Sequence, residues 1–520
     1  MTITRQQLLF GAAAAAMAVV AAGRSSAQTP DWSRVNPDWL VSEEEAIGWH
    51  RVKDAKGPAL TGNASWRDFI AFLEARLGEC GCVDVQRSSW RFTRLETSDW
   101  PDDSKWSLIS NGRAVTLSNY GANCGLTGPE GVTAPLVMWD AANPPDVRGK
   151  IVVFRPTPRP EVREAFENAD YECMTPFDSW PVEGRPVPQT QNAVHSVAAP
   201  VWDEMTSSSI FVQEIAASKP AGVVFAMNLN AAQTAGLYTF RVPEHYDFPS
   251  VYVDRGQGDL VIADARAGRS ATLRVEGERV PAEAWQLVAW LPGRDYGTDR
   301  DQQIQLRTHT DGPSISQDNG AFGLLAVVRY MARIPRQDRP RTLMVELDCR
   351  HFMPGAEKAW AHEDYFEKNP TARDRILAMV AMEHLGQVDY VAEGEVIRPS
   401  GRSLPTWIYA SPDPRMIDAA CKAARDNHLP SAIIRSPGRP GTQGRSQGPW
   451  YGMSREGQHL GLPSFGVQGD LGAYWAFSGR IDRFDARAFR RQAATFVQLV
   501  GFLMTTNLSA LEIPTVARPA

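Results

Sequence analysis

From residue 283 onward, hydrophobic and polar positions switch between two periods. Gln286–Leu291, Ile304–Thr308, Thr342–Leu347, Arg375–Met382 and Ser464–Val467 are short, mostly apolar runs, the pattern of buried strands. Between them, Ala321–Ile334, Met416–Asn427 and Ala486–Met504 repeat their apolar residues at helical spacing. This alternation predicts an α/β fold, a mostly parallel mixed sheet flanked by helices. In such folds ligands gather at the carboxyl ends of the strands, so chemistry is sought there.

The preceding stretch has a different texture. From about 110 to 275, short β-rich runs alternate with Pro/Gly turns. Gly149–Phe154, Lys219–Ala226 and Phe248–Asp254 read as buried strands, with a helix around Ile210–Ala217. A Pro-rich insertion, 155–208, has no assigned element. Residues 29–60 read as polar, Trp-rich and irregular. Ser65–Leu77 reads as an amphipathic helix with Ser65 as N-cap, ended by Gly78 and Gly81, and Val83–Phe92 as a strand.

The N-terminus has the form of an export signal: Arg5, an apolar run from Leu8 to Ala22, then Ser25-Ser26-Ala27. The run is shorter than the roughly 20 residues that cross a bilayer. A periplasmic or secreted protein with no membrane span after signal removal is expected. The expected organisation is a signal peptide (1–27), a segment packing on the catalytic body (28–109), a β-rich domain with the Pro-rich insertion (110–282) and a catalytic domain (283–520).

Composition narrows the class. The 520 residues are 43% hydrophobic and 22% charged, with net charge −6. Collagen, coiled coil, disordered tail and polytopic membrane protein are excluded. No long Lys/Arg tract appears, and neutralising phosphates needs a basic face, so no nucleic-acid partner is expected. A large enzyme or binding protein remains; oligomeric state is not readable. Six cysteines are too few for a disulfide scaffold. Their connectivity stays open, a bridge from Cys80 or Cys82 to Cys124 being one option.

Candidate chemistry lies at strand ends. His309-Thr310-Asp311 closes one strand, and Asp318-Asn319-Gly320 opens the next helix. Arg350-His351-Phe352 and Glu383-His384-Leu385-Gly386 follow two later strands, and Glu456-Gly457-Gln458-His459 precedes the last. Imidazoles and carboxylates gathered this way suit Zn²⁺. Asp311, two residues beyond His309, is placed to orient its imidazole. His50, His195, His245, His362 and His428 read as ordinary surface or loop residues.

These motifs resemble the M28 family of zinc exopeptidases, in its form bearing a protease-associated (PA) domain. "GKIVVF" at 149–154, "KPAGVVFA" at 219–226 and "PSVYVD" at 249–254 resemble the PA domain in that order. The resemblance runs from Thr61-Gly62 over nearly all of the mature chain and includes "LVAWLPG" at 287–293. It implies that His309 binds a metal, that Asp318 bridges two, and that Glu383 stands where the family has an Asp ligand. The departures are equally specific. The family's adjacent Glu pair, a base and a ligand, falls in Asp348-Cys349-Arg350-His351-Phe352-Met353-Pro354-Gly355, where His351 takes one of the two places. The family's last His ligand falls at Ser454-Arg455-Glu456, with His459 nearer the following turn.

The resemblance therefore implies zinc, one ion rather than two, on His309, Asp318 and Glu383. His351 serves either as a further ligand or as the base; Glu456 is the other candidate base. Arg435, Arg439, Arg445 and Arg455 lie in or beside a Gly/Pro-rich loop, either gripping a carboxylate or simply solvated. Arg455, His459, Trp450 and Tyr451 are the candidate substrate contacts; Tyr474 and Trp475 flank the region. The function so implied is an exported hydrolase that cleaves an amide bond of a short peptide or amidated small molecule with metal-activated water. The alternatives are a metal-dependent hydrolase or lyase on a non-peptide, aromatic small molecule, and a non-catalytic binding protein on a peptidase scaffold.

Overall fold

The computed structural model describes residues 31–157, 171–176, 198–238, 244–355, 369–437, 450, 452–469 and 475–514. The export signal, His195, His362, Arg439, Arg445, Tyr451 and Tyr474 lie outside the described residues. From Trp32 onward the chain forms one compact unit.

Among the described residues, nineteen strands are distributed over two large sheets and a hairpin. In chain order they are β1 (Val83–Glu96), β2 (Trp106–Ser110), β3 (Arg113–Val115), β4 (Asn119–Tyr120), β5 (Val132–Met138), β6 (Ile151–Phe154), β7 (Cys173–Met174), β8 (Gly222–Ala226), β9 (Ser250–Val253) and β10 (Ser270–Val275). Then come β11 (Glu278–Leu291), β12 (Gln303–His309), β13 (Thr342–Asp348), β14 (Ile376–Glu383), β15 (Val388–Glu393), β16 (Val396–Ser403), β17 (Thr406–Ala410), β18 (Ala432–Arg435) and β19 (Ser464–Gly469). The principal helices are α1 (Glu43–Asp54), α2 (Ala64–Glu79), α3 (Ala198–Ile215), α4 (Arg255–Arg266), α5 (Gly320–Ala332), α6 (Pro414–Asp426), α7 (Arg455–Leu460) and α8 (Ala486–Thr505).

The nine-stranded sheet runs β1-β11-β13-β12-β14-β19-β17-β18-β7. Its centre is parallel: β12 pairs in parallel with β13 and β14, and β14 with β19. One face of β12 (Ile304, Leu306) buries into an apolar core with α5 and α8, whose Phe322, Leu325, Phe496 and Val500 belong to it. The other face carries Gln305, Arg307 and His309, as a period of two requires. There Gln286 and Gln305 both donate to the buried Glu346 carboxylate, with Arg307 Nη2 3.6 Å away. The polar face therefore leads up the strand to His309.

The second sheet, β3-β2-β10-β5-β6-β8-β9-β4, has a core of its own and contains the three strands read from the 149–254 motifs. The two bodies interlock. Tyr238 N donates to Trp475 O at 2.9 Å and Phe477 N to Gly236 O at 2.8 Å. Trp475, Ala476 and Phe477 are part of the second sheet's core.

Three readings are corrected. Residues 43–54, read as irregular, form α1: Ser42 Oγ accepts from Glu45 N at 3.1 Å, and three glutamates occupy the first turn, where the helix dipole favours them. Its buried side includes His50 and Lys53, so no apolar stripe announced it. Helix α2 is capped by Asn63, whose Oδ1 accepts from Trp66 N at 2.8 Å; Ser65 lies inside it and donates to Lys56 O. The disulfide joins Cys173 to Cys421, tying a point within the Pro-rich insertion to α6. Cys80, Cys82 and Cys124 are free, and Cys82 and Cys124 belong to different cores. Among the described residues, no helix is long and apolar enough to cross a membrane.

Candidate metal centre

His309 ends β12 and Glu383 ends β14, adjacent parallel strands, so both side chains arrive at the carboxyl edge of the sheet. His309 Nε2 lies 3.6 Å from Glu383 Oε2. The next residue, His384, would face away if the strand continued. It instead takes a left-handed conformation, φ 54°, which turns the chain sharply. His309, Glu383 and His384 thereby bring one ligand atom each within 4.8 Å of one another, all buried. They are the one such group among the described residues.

Neighbouring motifs hold this corner. The Asn319 side chain clasps Leu385 on both backbone groups, accepting from its N at 2.8 Å and donating to its O at 2.7 Å. A Cβ on Gly320 would collide with the Met382 carbonyl and Thr308 Oγ1, so Gly is required where α5 meets β14. On the far side, Met453 N donates to Glu383 Oε1, and Gly452 (φ +73°) leaves no room for a side chain against that carboxylate.

Burial opposes charge on His309, but the hydrogen bond and charge of Glu383 outweigh it and hold the imidazole above its ordinary pKa. Burial likewise opposes ionisation of Glu383, yet His309 holds that carboxyl below its usual range. A metal bound between them would take the place of this contact. His384 is driven by burial down to about 3 and stays neutral. Gln317 Nε2 lies 3.1 Å from His384 Nε2, while Gln317 Oε1 has no partner. Turning the amide lets Oε1 accept from a His384 Nε2–H and leaves Nδ1 as the donor atom.

The donor set fits zinc. Two imidazoles and one carboxylate with a fourth position open form a common catalytic set, and ligands ~2.05 Å from a tetrahedral ion stand ~3.4 Å apart. The separation between His309 and Glu383 is close to that value.

His351 stacks on His309, with ring centroids 4.1 Å apart and planes at 19°. It is placed there by Asp311, which accepts from His351 N at 3.2 Å, Phe352 N at 2.5 Å and Thr61 Oγ1 at 2.6 Å. His309 Nδ1 donates to the Asp311 main-chain carbonyl at 3.0 Å, while the carboxylate stands 4.0 Å off. In place of a Glu pair, Arg350 forks onto Asp348 (Nη2–Oδ2 2.6 Å) and Cys349 is buried in the core. Asp318 is buried beside the cluster, with Lys53 Nζ 2.7 Å from its Oδ1.

The remaining predicted residues lie further along. Helix α7 starts just after Met453 and ends near Leu462, which packs with Met344 and Ile376. Glu456 is buried on it, Arg455 exposed and His459 half-buried. Trp450 is a core residue, stacked on Tyr409 at 5.4 Å. Arg435 is buried with its guanidinium 4.0 Å over the Trp407 ring. His50 is also buried, stacked on Phe484 at 3.6 Å. Sequence reasoning missed His384 as a donor, because adjacent strand residues face opposite ways, and Lys53, because it lies more than 250 positions before the motifs in the sequence.

No protein-family profile matches the chain, and no curated protein matches it in sequence. Solved structures do. A peptidase M28 precursor from Shewanella amazonensis SB2B is 13% identical over 92% of this chain and 95% of its own, with TM-score 0.59. The zinc aminopeptidase BSAP from Bacillus subtilis is 12% identical over 91% and 98%, with TM-score 0.54. An aminopeptidase from Aneurinibacillus sp. strain AM-1 is 14% identical over 93% and 98%, with TM-score 0.51. The fold is thus that of M28-type zinc aminopeptidases.

Proposed function

We propose that the chain is an exported, metal-dependent hydrolase that cleaves an amide bond of a short peptide or amidated small molecule. One zinc ion is held by His309, Glu383 and His384. The observation that carries this reading is the convergence of those three buried groups at the carboxyl ends of β12 and β14. Bound there, the ion supplies Lewis acidity toward a carbonyl and lowers the pKa of water. His351, on the face of His309, takes and returns the proton; its unperturbed pKa near 6.5 suits that task. Asp311 fixes the turn that carries His351.

Beside His351 stands the half-buried ring of Phe352 (5.0 Å), backed by Tyr238 (6.3 Å from Phe352) and Phe477 (4.9 Å from Tyr238) in the second sheet's core. The accessible part of Phe352 favours a substrate with an apolar or aromatic group. Export accords with the N-terminal pattern and with the Cys173–Cys421 disulfide, since such bonds persist in oxidising compartments.

Metal analysis of purified mature protein, followed by assays on aminoacyl anilides and dipeptides, tests the reading. Stoichiometric zinc and turnover of amides with apolar side chains are expected. Absence of bound metal together with no affinity for added Zn²⁺ sinks it. Bound metal without amide turnover transfers the case to the non-peptide alternative.

A further inference from the structure

Helix α1 sends two polar side chains, His50 and Lys53, into the buried corner behind the metal cluster, and the chemistry above uses neither. At i and i+3 they share one face of the helix. His50, pushed by burial down to about 3, is neutral; its Nδ1 donates to Ala46 O at 2.7 Å and its Nε2 accepts from Asn319 Nδ2 at 3.1 Å. Lys53 goes deeper. Its ammonium donates to Ser314 O at 2.9 Å and lies 2.7 Å from Asp318 Oδ1, with both side chains almost wholly buried (2% and 0% exposed).

Lysine is almost never fully buried unless its charge is answered. Here Asp318 answers it. The pairing has a consequence for metal. A divalent ion would have to approach the same carboxylate to ~2.0–2.2 Å, on a group whose Oδ1 already bears an ammonium. Two cations sharing one buried carboxylate repel strongly in a low-dielectric interior. Asp318 also acts electrostatically on His309. Its charge is therefore part of the centre even though its oxygens lie outside the three converging ligands.

We propose that Lys53 is a built-in cation that closes Asp318 to metal and limits the centre to the single ion on His309, Glu383 and His384. The inference rests on the one-ion reading above. It makes Lys53 a positioning residue: a fixed single positive charge, supplied by an N-terminal helix, in place of an exchangeable double one. The number of ions is then set by α1 as well as by the ligands.

Metal content by elemental analysis and the visible spectrum of the Co²⁺-substituted protein test this on the full mature chain. Wild type is expected to hold one ion. The double variant Lys53→Met/Asp318→Asn, which removes both buried charges without leaving either alone, is expected to fold, keep one ion and keep the wild-type cobalt spectrum. Lys53→Met alone is expected to change the spectrum or raise the stoichiometry as the freed carboxylate joins the centre; adding Asp318→Asn reverses that change. Lys53→Arg retains the cation and the spectrum.

Two ions in wild type, or loss of the ion in the double variant, overturns the inference while leaving a metal hydrolase standing. So does a folded Lys53→Met with unchanged ion count and spectrum. No ion in wild type defeats the functional reading and this inference with it. If Lys53→Met does not fold, Lys53→Gln, neutral but still able to donate a hydrogen bond, takes its place with the same expected and overturning results.

Discussion

The imidazole of His351 lies nearly flat against that of His309, 4.1 Å between centroids, while Glu383 meets the same ring at Nε2. In the proposed centre, a group in that position would move protons beside the metal without holding it. His351→Ala is therefore expected to leave zinc content unchanged and to lower kcat by ~10²–10⁴-fold, the usual contribution of a positioned acid–base. Elemental analysis and steady-state kinetics on the same preparation check this. Loss of zinc would make His351 a ligand; full activity would remove it from the reaction.

The Asn319 clasp on Leu385 holds the left-handed turn at His384. Asn319→Ala removes three buried hydrogen bonds, two to Leu385 and one to His50 Nε2, and lets the turn relax. Zinc affinity is expected to fall ~10–100-fold, as for other groups that orient ligands from behind. Asn319→Asp keeps the acceptor for Leu385 N but loses the donor to Leu385 O, and is expected to be intermediate. Competition with a chelator measures both.

Gly452 gives a local test with an internal control. A methyl group at Gly452 would strike the Glu383 carboxylate, and its φ of +73° disfavours any side chain. Gly394, φ +60°, has open space where a Cβ would stand. Gly394→Ala is expected to cost about 1 kcal/mol of stability and leave zinc untouched. Gly452→Ala is expected to lose zinc by tenfold or more at a comparable stability cost. Equal zinc affinity in the two variants would mean that Glu383 is not a ligand.

How far the sequence foretold this centre depends on the kind of signal. Strands β12, β13, β14 and β19 were legible because each is a buried apolar run, and their carboxyl ends drew attention to His309, His351 and Glu383. Asp318-Asn319-Gly320 stood out as a motif, and its physical content is the Asn319 clasp and the Gly320 approach to β14. Three features stayed hidden. His384 joins the cluster only because the strand breaks at a positive φ that its residue type does not advertise. Lys53 reads as an ordinary polar helix residue until α1 is packed against Asp318. The Cys173–Cys421 bond crosses 248 residues, a separation at which spacing carries no information.

Away from the centre, Glu204 predicts a pH dependence. It is buried at 2% exposure on α3, accepts from Asn228 N at 2.8 Å, and burial pushes its carboxyl up to about 7 from 4.5. The folded protein thus binds this proton more tightly than the unfolded chain. The stabilisation is fully present below about pH 4.5 and is lost as pH rises to about 7, a difference on the order of 3 kcal/mol. Glu204→Gln retains an acceptor for Asn228 N but does not titrate. The variant is expected to match wild type near pH 4.5 and to melt several degrees higher at pH 8, flattening the decline in between. Thermal melts across pH 4.5–8 check this. A variant less stable than wild type at pH 8 would mean that the charged carboxylate, through Arg155 and Arg255, contributes more than its burial costs.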